Sequence, residues 1–346
     1  NLSGWQLMLY AGITYVAWGM VYTASDVPFW SMPNVMTPNP DERGNIISNA
    51  RTANGIGSAV PMAIFMLLGF ILPRFNLSGT ELEKTKYMTI ALICAVLGNV
   101  LFIRVYFKAK ERVNIPVPSK KKKGEASALK LILSCKPLIL TALMGILSSA
   151  RYMYQAGAVH VARYSFYIGK DLTGLSLAEQ EEALQSNISL VSTVFAVATA
   201  LGMFGAMLVM PLLFKKFNYK QIIIGTSLIG FVASMAIWFI GYEHFWACVP
   251  FLVLSCIPCG AINICAGKRL TGMGSAIQSF VTKLGNAIST SFIVLMYIIV
   301  NLDVASINAN VTANPLEMSE TIRTGMFSLV SIIPGISLLI CIVPIF

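Results

Sequence analysis

Thr23, Asp26 and Trp30 fall at i, i+3 and i+7 within Tyr22-Thr23-Ala24-Ser25-Asp26-Val27-Pro28-Phe29-Trp30. A helix there places a hydroxyl, a carboxylate and an aromatic ring on one face. A carboxylate beside a flat apolar ring suits a sugar, whose hydroxyls donate to the acid while its C–H face lies on the ring. Thr23 and Asp26 also offer hard oxygens to Na⁺, or a site for a proton. The alternative for Asp26 is an acid at a helix end beside Pro28.

Three further ionisable residues interrupt apolar stretches, where a charge costs about 2.5–3.5 kcal/mol on insertion scales. Arg51, in Asn49-Ala50-Arg51-Thr52-Ala53-Asn54-Gly55, can neutralise Asp26 across a helix pair or snorkel to the interface as an ordinary arginine. Gly55 and Gly57 behind it allow close helix approach. Arg151 lies well inside its stretch, and Gln155 one turn on extends a polar stripe, which serves either structural pairing or solute contact. Lys283 belongs to a polar face of Gln278, Ser279, Thr282, Lys283 and Asn286, and Asp26 is the natural carboxylate for it. His160 and His244 receive no role. The chain shows no His, Cys and Asp run with metal-ligand spacing and no nucleotide-binding fingerprint, which argues against an ATP-driven pump. Cys256-Ile-Pro-Cys259 has redox spacing but lies in an apolar stretch, and is read as small apolar filler.

The elements that must position these residues are membrane helices. Of 346 residues, 56% are hydrophobic and 12% charged, against about 25% charged in soluble chains. Nine apolar segments have cores at 7–30, 52–72, 87–107, 137–161, 188–214, 221–242, 245–265, 276–300 and 326–346, each near the ~20 residues that cross ~30 Å of hydrocarbon. Only helices satisfy their own backbone there, and no alternating barrel strands occur. The net charge of +10 sits in loops 108–136, 215–220 and 266–269, while the intervening loops carry Glu179, Glu181, Glu182, Glu243, Asp303, Glu317 and Glu320. That alternation is orientation information that places the basic loops in the cytoplasm, and it excludes a nucleic-acid stripe. The stretch 108–136, with Pro116, Pro118, four consecutive lysines and Gly124, reads as a flexible linker. Three segments precede it and six follow, as in a protein of six plus six helices without its first three.

These residues give the chain a resemblance to the glycoside–pentoside–hexuronide:cation symporters, the melibiose permease family of the major facilitator superfamily. Tyr22-Thr-Ala-Ser-Asp26-Val-Pro-Phe-Trp30-Ser31 is similar to that family's fourth-helix signature, and the spacing from Asp26 to Arg51 matches its fifth-helix arginine. Gly267-Lys268-Arg269, then Gly274-Ser275-Ala276-Ile277-Gln278-Ser279-Phe280 and Lys283, resemble its tenth-to-eleventh helix region. Phe214-Lys215-Lys216-Phe217 resembles the loop after the eighth. The resemblance implies sugar binding by Asp26, Trp30 and Arg51, a threonine beside the coupling cation at Thr23, and a lysine near both sites at Lys283. Tyr22 and Ser279 fall at neighbouring pocket positions. Two features of the family have no counterpart: the second-helix acids that ligate its cation, and an acidic Asp-Tyr-Gly-Glu stretch before Gly267, where Cys265 runs directly into Ala266.

The expectation is therefore an all-α membrane protein of the two-bundle major facilitator type, with nine of twelve helices present. Residues 1–107 belong to the N-terminal bundle, 108–136 to a cytoplasmic linker and 137–346 to the C-terminal bundle. The expected function is cation-coupled symport of a sugar or glycoside by alternating access, with Na⁺, H⁺ or Li⁺ as the ion and no other cofactor. Substrate contacts are assigned to Asp26, Trp30, Arg51, Tyr22, Lys283, Ser279, Arg151 and Gln155, and the cation to Thr23 and Asp26. The expected partners are the sugar and the bilayer, with no nucleic acid and no obligatory protein, in a bacterial inner membrane. Rival readings are a lysolipid or other small-solute carrier of the same fold, a channel, or a purely structural membrane protein; a catalytic cluster is missing, so an enzyme is not expected.

Overall fold

A computed structural model describes residues 4–72, 79–113, 135–169, 171–269, 273–302 and 314–345. Every regular element among the described residues is helical. Before residues 114–134 come α1 (Gly4–Ser31), the short α2 (Pro33–Met36), α3 (Pro40–Ile71) and α4 (Gly79–Lys108). After them come α5 (Lys136–Leu147), a 3₁₀ turn (Ser149–Tyr152), α6 (Met153–Ala156), α7 (Ala158–Tyr164), α8 (Leu177–Lys216), α9 (Tyr219–Ile240), α10 (Phe245–Ser255), α11 (Ile257–Arg269), α12 (Met273–Ile299), α13 (Glu320–Ser328), α14 (Ile332–Ile340) and a terminal 3₁₀ turn (Val343–Ile345).

Seven helical stretches are long and apolar enough to cross a membrane. They account for seven of the nine expected segments. The segment at 52–72 forms the second half of α3, and the segment at 137–161 is interrupted rather than continuous. Leu138–Leu147 is an apolar helix too short to span alone, and the chain then turns through 3₁₀ geometry at Arg151 before α6 and α7 resume. Two more segments break: α10 gives way to α11 at Cys256, where Pro258 has no N–H to continue the ladder, and α13 gives way to α14 around Leu329–Ser331. In hydrocarbon a freed carbonyl needs a partner. Neighbouring hydroxyls supply it: Ser337 Oγ donates to Leu147 O at 2.5 Å and Ser289 Oγ to Ser149 O at 2.7 Å.

The helix ends follow local chemistry. Ser176 and Glu179 form a capping box at the start of α8, and Lys215 and Lys216 lie in its last turn, where cations complement the helix dipole. Asn218 and Gln221 cap α9, which ends at Gly241 with φ +80°, a conformation only glycine adopts freely. The 40 residues of α8 extend about 60 Å, twice the hydrocarbon thickness. Near its start the Asn187 carboxamide holds the preceding segment by accepting from Ile168 N and donating to Ala162 O and Phe166 O.

Among the described residues the core clusters lie after residue 134. An aromatic layer of Phe166, Phe195, Phe245 and Phe327 is continuous with Tyr154 and Leu252, and Phe166 meets Phe245 edge-on at 5.0 Å. A methionine-rich layer around Met144, Met207, Met210, Ile262 and Leu338 fills the other end. Small residues set the spacing of the helices. Gly260 of α11 approaches the Met203 carbonyl of α8, and Gly55 of α3 receives the Phe204 ring, whereas Gly57 faces open space. By contrast α1 buries no residue and exposes Leu7, Met8, Ile13, Val16 and Trp18, a surface that only hydrocarbon or further apolar chain covers favourably. The two parts meet where α3 packs on α8 and α11 and α1 packs on α12.

Candidate functional site

The α1–α12 contact carries the predicted residues. Trp18, Tyr22, Asp26 and Trp30 repeat at intervals of four along α1 and form one column. Trp18 stacks on Tyr22 with ring centroids 5.4 Å apart. The Tyr22 hydroxyl lies 3.4 Å from Asp26 Oδ1, and the Trp30 indole N–H donates to the same oxygen at 2.9 Å. The second oxygen, Oδ2, accepts from Ser279 Oγ of α12 at 2.7 Å. One turn back, the Lys283 ammonium bonds the Thr23 hydroxyl and lies 4.8 Å from the centroid of the Tyr22 ring. Thr23 Oγ1 in turn donates to Gly19 O at 2.6 Å.

This pairing has a register. Asp26 meets Ser279 and Thr23 meets Lys283, so chain direction in α1 opposes that in α12, and residues one turn apart on each helix face one another. The half-buried carboxylate thus collects three neutral donors, and the half-buried ammonium takes a hydroxyl and a ring face. The expected direct pair of Lys283 with Asp26 is corrected: the cation goes to Thr23, because its place one turn from Ser279 sets it level with residue 23 rather than 26.

Beside the site, residues of α1–α4 line an open pocket of about 270 Å³ that includes Phe29, Trp30, Met32, Met36, Ile46 and Val105. Trp30 therefore serves two environments, its N–H on the carboxylate and its ring on an apolar wall.

The other predicted residues are distributed differently. The Arg51 side chain lies outside the described residues, as do the side chains of Gln278, Lys268 and Arg269. Arg151 is buried, at 5% exposure, and its guanidinium donates to Ser148 Oγ (2.5 Å), Tyr152 OH (2.9 Å) and Asn263 Oδ1 (3.2 Å). Gln155 is exposed, so the two form no common stripe, since the 3₁₀ turn breaks the helical period that would have aligned them. Cys256 is buried in the aromatic layer and Cys259 is half-buried, both as free thiols. His160, given no role from sequence, has its Nδ1 2.6 Å from the Tyr297 hydroxyl of α12. Trp18 was missed, although its place one turn before Tyr22 continues the column and was the available signal. Among the described residues no cluster of His, Cys, Asp and Glu fits a metal ion.

Comparison with known proteins agrees with this architecture. Over 237 residues, 68% of the chain and 45% of the relative, it is 27% identical to the uncharacterized symporter YjmB of Bacillus subtilis. Over 352 aligned positions, 96% of the chain and 51% of the relative, it is 24% identical to the lactose permease of Lactobacillus delbrueckii subsp. bulgaricus. Over 132 residues it is 28% identical to the isoprimeverose transporter of Lactiplantibacillus pentosus, covering 38% of the chain and 26% of the relative. The chain thus spans about half the length of the first two relatives. Residues 1–176, which hold the whole α1 column and Arg151, match the family described as MFS/sugar transport protein, and the chain belongs to that family of membrane transporters.

Proposed function

We propose that this chain is part of a secondary transporter that carries a sugar or glycoside together with a cation. The observation that carries the reading is the Asp26 carboxylate. It sits between a helix from before the linker and one from after it, beside an indole, with both oxygens on donors that sugar hydroxyls can replace. In this reading the sugar lies against Trp30 and donates to Asp26, with Tyr22, Ser279 and Lys283 around it and Arg51 as a further contact. Thr23 and Asp26 contribute oxygens to Na⁺, H⁺ or Li⁺. A cation there offsets the carboxylate charge and favours the sugar, and by linkage the sugar favours the cation. The regions 1–107 and 137–346 rock about the site to give alternating access, joined by 108–136 on the cytoplasmic face of a bacterial inner membrane. The names of the relatives, a lactose permease and an isoprimeverose transporter among them, support a sugar over a lysolipid.

The test is uptake of a labelled glycoside panel into vesicles, with Na⁺ and pH gradients imposed separately, for the native chain and Asp26→Asn. An asparagine keeps one oxygen for the Trp30 N–H and turns its NH₂ to Ser279, whose hydroxyl can accept, so the fold survives while the charge is lost. Exchanging a charge-assisted for a neutral hydrogen bond lowers sugar affinity about tenfold, a difference of about 1 kcal/mol or more, and uphill accumulation disappears. Normal uphill uptake by Asp26→Asn sinks the assignment. Conductance without saturable counterflow selects a channel instead.

A further inference from the structure

We infer that Arg151 is a positioning residue that sets α12, and with it Ser279 and Lys283, against α1. The inference deepens the transport reading above and rests on it for its functional meaning.

The argument begins with the cost of this side chain. Arg151 is 5% exposed; among the described residues its three hydrogen-bond partners are neutral and its buried Nε has no partner. A buried guanidinium without a carboxylate is expensive to keep. Its bonds hold one particular piece of backbone. Ser148 is the residue at which α5 ends, Tyr152 closes the 3₁₀ turn, with its ring centroid 4.8 Å from the guanidinium carbon, and Asn263 belongs to α11. The guanidinium therefore fastens an interrupted helix to the helix beside it.

That interruption is the seat of α12. A Cβ at Gly145 would fall 2.5 Å from Val281 Cγ1, and a Cβ at Gly285 would fall 3.0 Å from the Tyr152 ring and 3.2 Å from Ser149 Cβ. Ser289 Oγ donates to Ser149 O at 2.7 Å. Residues 281, 285 and 289 are four apart and make one face of α12. Ser279 and Lys283 make another, about 140° away at 100° per residue. One face of a rigid helix rests on the turn that Arg151 holds, and the other presents the hydroxyl and ammonium to Asp26 and Thr23. Displacement of the turn is thus carried across α12 to the site, although Arg151 bonds none of the described site residues. The 281/285/289 face explains why a helix with small residues at 285 and 289 lies so close to the broken segment.

The experiment measures the position of residue 279 without transport. Ser279→Cys is introduced with the native cysteines kept, the protein is treated with N-ethylmaleimide, and alkylation is read peptide by peptide by mass spectrometry. Exposed Cys135 serves as the reference and buried Cys248 as the control for general loosening. Adding Arg151→Met raises the rate at position 279 about fivefold, the factor that one net hydrogen bond is worth, while Cys248 stays protected. Arg151→Lys gives an intermediate rise. Ser289→Ala, which removes the anchor on Ser149 without touching the charge, gives a rise in the same direction. An unchanged rate at 279 in Ser289→Ala and in either arginine variant that purifies folded overturns the inference, and so does a rise shared equally by Cys248. If instead Asp26→Asn accumulates sugar, the transport reading falls while the labelling result stands.

Discussion

Gly202 and Gly205 lie three residues apart on α8, and replacing each with alanine should give opposite effects. A Cβ at Gly202 would lie 2.2 Å from Val253 O and 2.8 Å from Cys256 Cβ, whereas a Cβ at Gly205 meets nothing within 4 Å. The Val253 carbonyl cannot retreat cheaply, because it accepts from Cys256 N at 3.3 Å where α10 ends. Restoring an ordinary contact of about 3.4 Å requires α8 and α10 to part by roughly 1 Å, which forfeits a quarter to a half of the dispersion well along the seam. Overpacking of this kind costs about 1–3 kcal/mol. Gly205→Ala removes only the backbone entropy of a helical glycine and stabilises by about 0.5–1 kcal/mol. The two variants therefore differ by about 2–4 kcal/mol, or roughly 4–16 °C in melting temperature at 2–4 °C per kcal/mol. Gly260→Ala, whose Cβ would fall 2.4 Å from Met203 O in the adjoining α8–α11 contact, costs a similar amount alone. It costs less on top of Gly202→Ala, since the helices have already moved apart. Thermal unfolding in detergent, followed by near-ultraviolet circular dichroism and size-exclusion recovery, reads all four proteins. Equal melting temperatures for Gly202→Ala and Gly205→Ala would refute close backbone approach as the organising feature of this seam.

Trp30→Phe keeps a ring on the apolar wall and deletes the N–H bonded to Asp26, so it weakens sugar affinity by about fivefold to tenfold. Trp30→Ala removes the stacking surface as well and weakens it further. In both variants the apparent cation affinity changes less, and equal losses for sugar and cation in vesicle uptake would assign Trp30 a structural role. At the N-terminal end of α8, the Ser176 hydroxyl and N–H hold the Glu179 carboxyl below the usual glutamate range. A depressed folded value means that the cap's stabilisation is present above the unfolded value of about 4.3 and is lost as pH falls through the lower folded value. Amide exchange in the first turn of α8, normalised for intrinsic rate, should thus accelerate in that acid range. Ser176→Ala should accelerate it at neutral pH, and protection that is flat with pH in the native chain would contradict the cap.

The composition of the apolar segments made the helical membrane fold legible, and the face of α1 that carries Thr23, Asp26 and Trp30 was legible from helical spacing, with Tyr22 completing the column of Asp26 and Trp30. The same logic extended by one turn reaches Trp18. The interruption at 148–152 was not legible. Serine, glycine and alanine inside an apolar run are as compatible with a continuous helix as with a broken one, and what decides is whether neighbours such as Ser289 and Ser337 can satisfy the freed carbonyls. Those neighbours lie 140 and 190 residues away along the chain. The partner of Lys283 was hidden for the same reason. Charge complementarity pointed to Asp26, but the antiparallel register of α1 and α12 assigns residue 283 to residue 23.

That register bears on how the interface would open in the proposed cycle. A direct Asp26–Lys283 ion pair in a partly desolvated site would be costly to break, since parting it leaves each charge uncompensated. Each charge instead meets a hydroxyl across the interface, the carboxylate that of Ser279 and the ammonium that of Thr23. A hydroxyl can be replaced by water or by a sugar hydroxyl at nearly equal free energy, because one hydrogen bond is exchanged for another. If the chain works by the proposed alternating access, two helices that part and rejoin in each cycle are better joined by exchangeable bonds than by a locked ion pair. The charges remain one turn apart, near enough to respond to an arriving cation and free of the direct contact that would hold the two helices together.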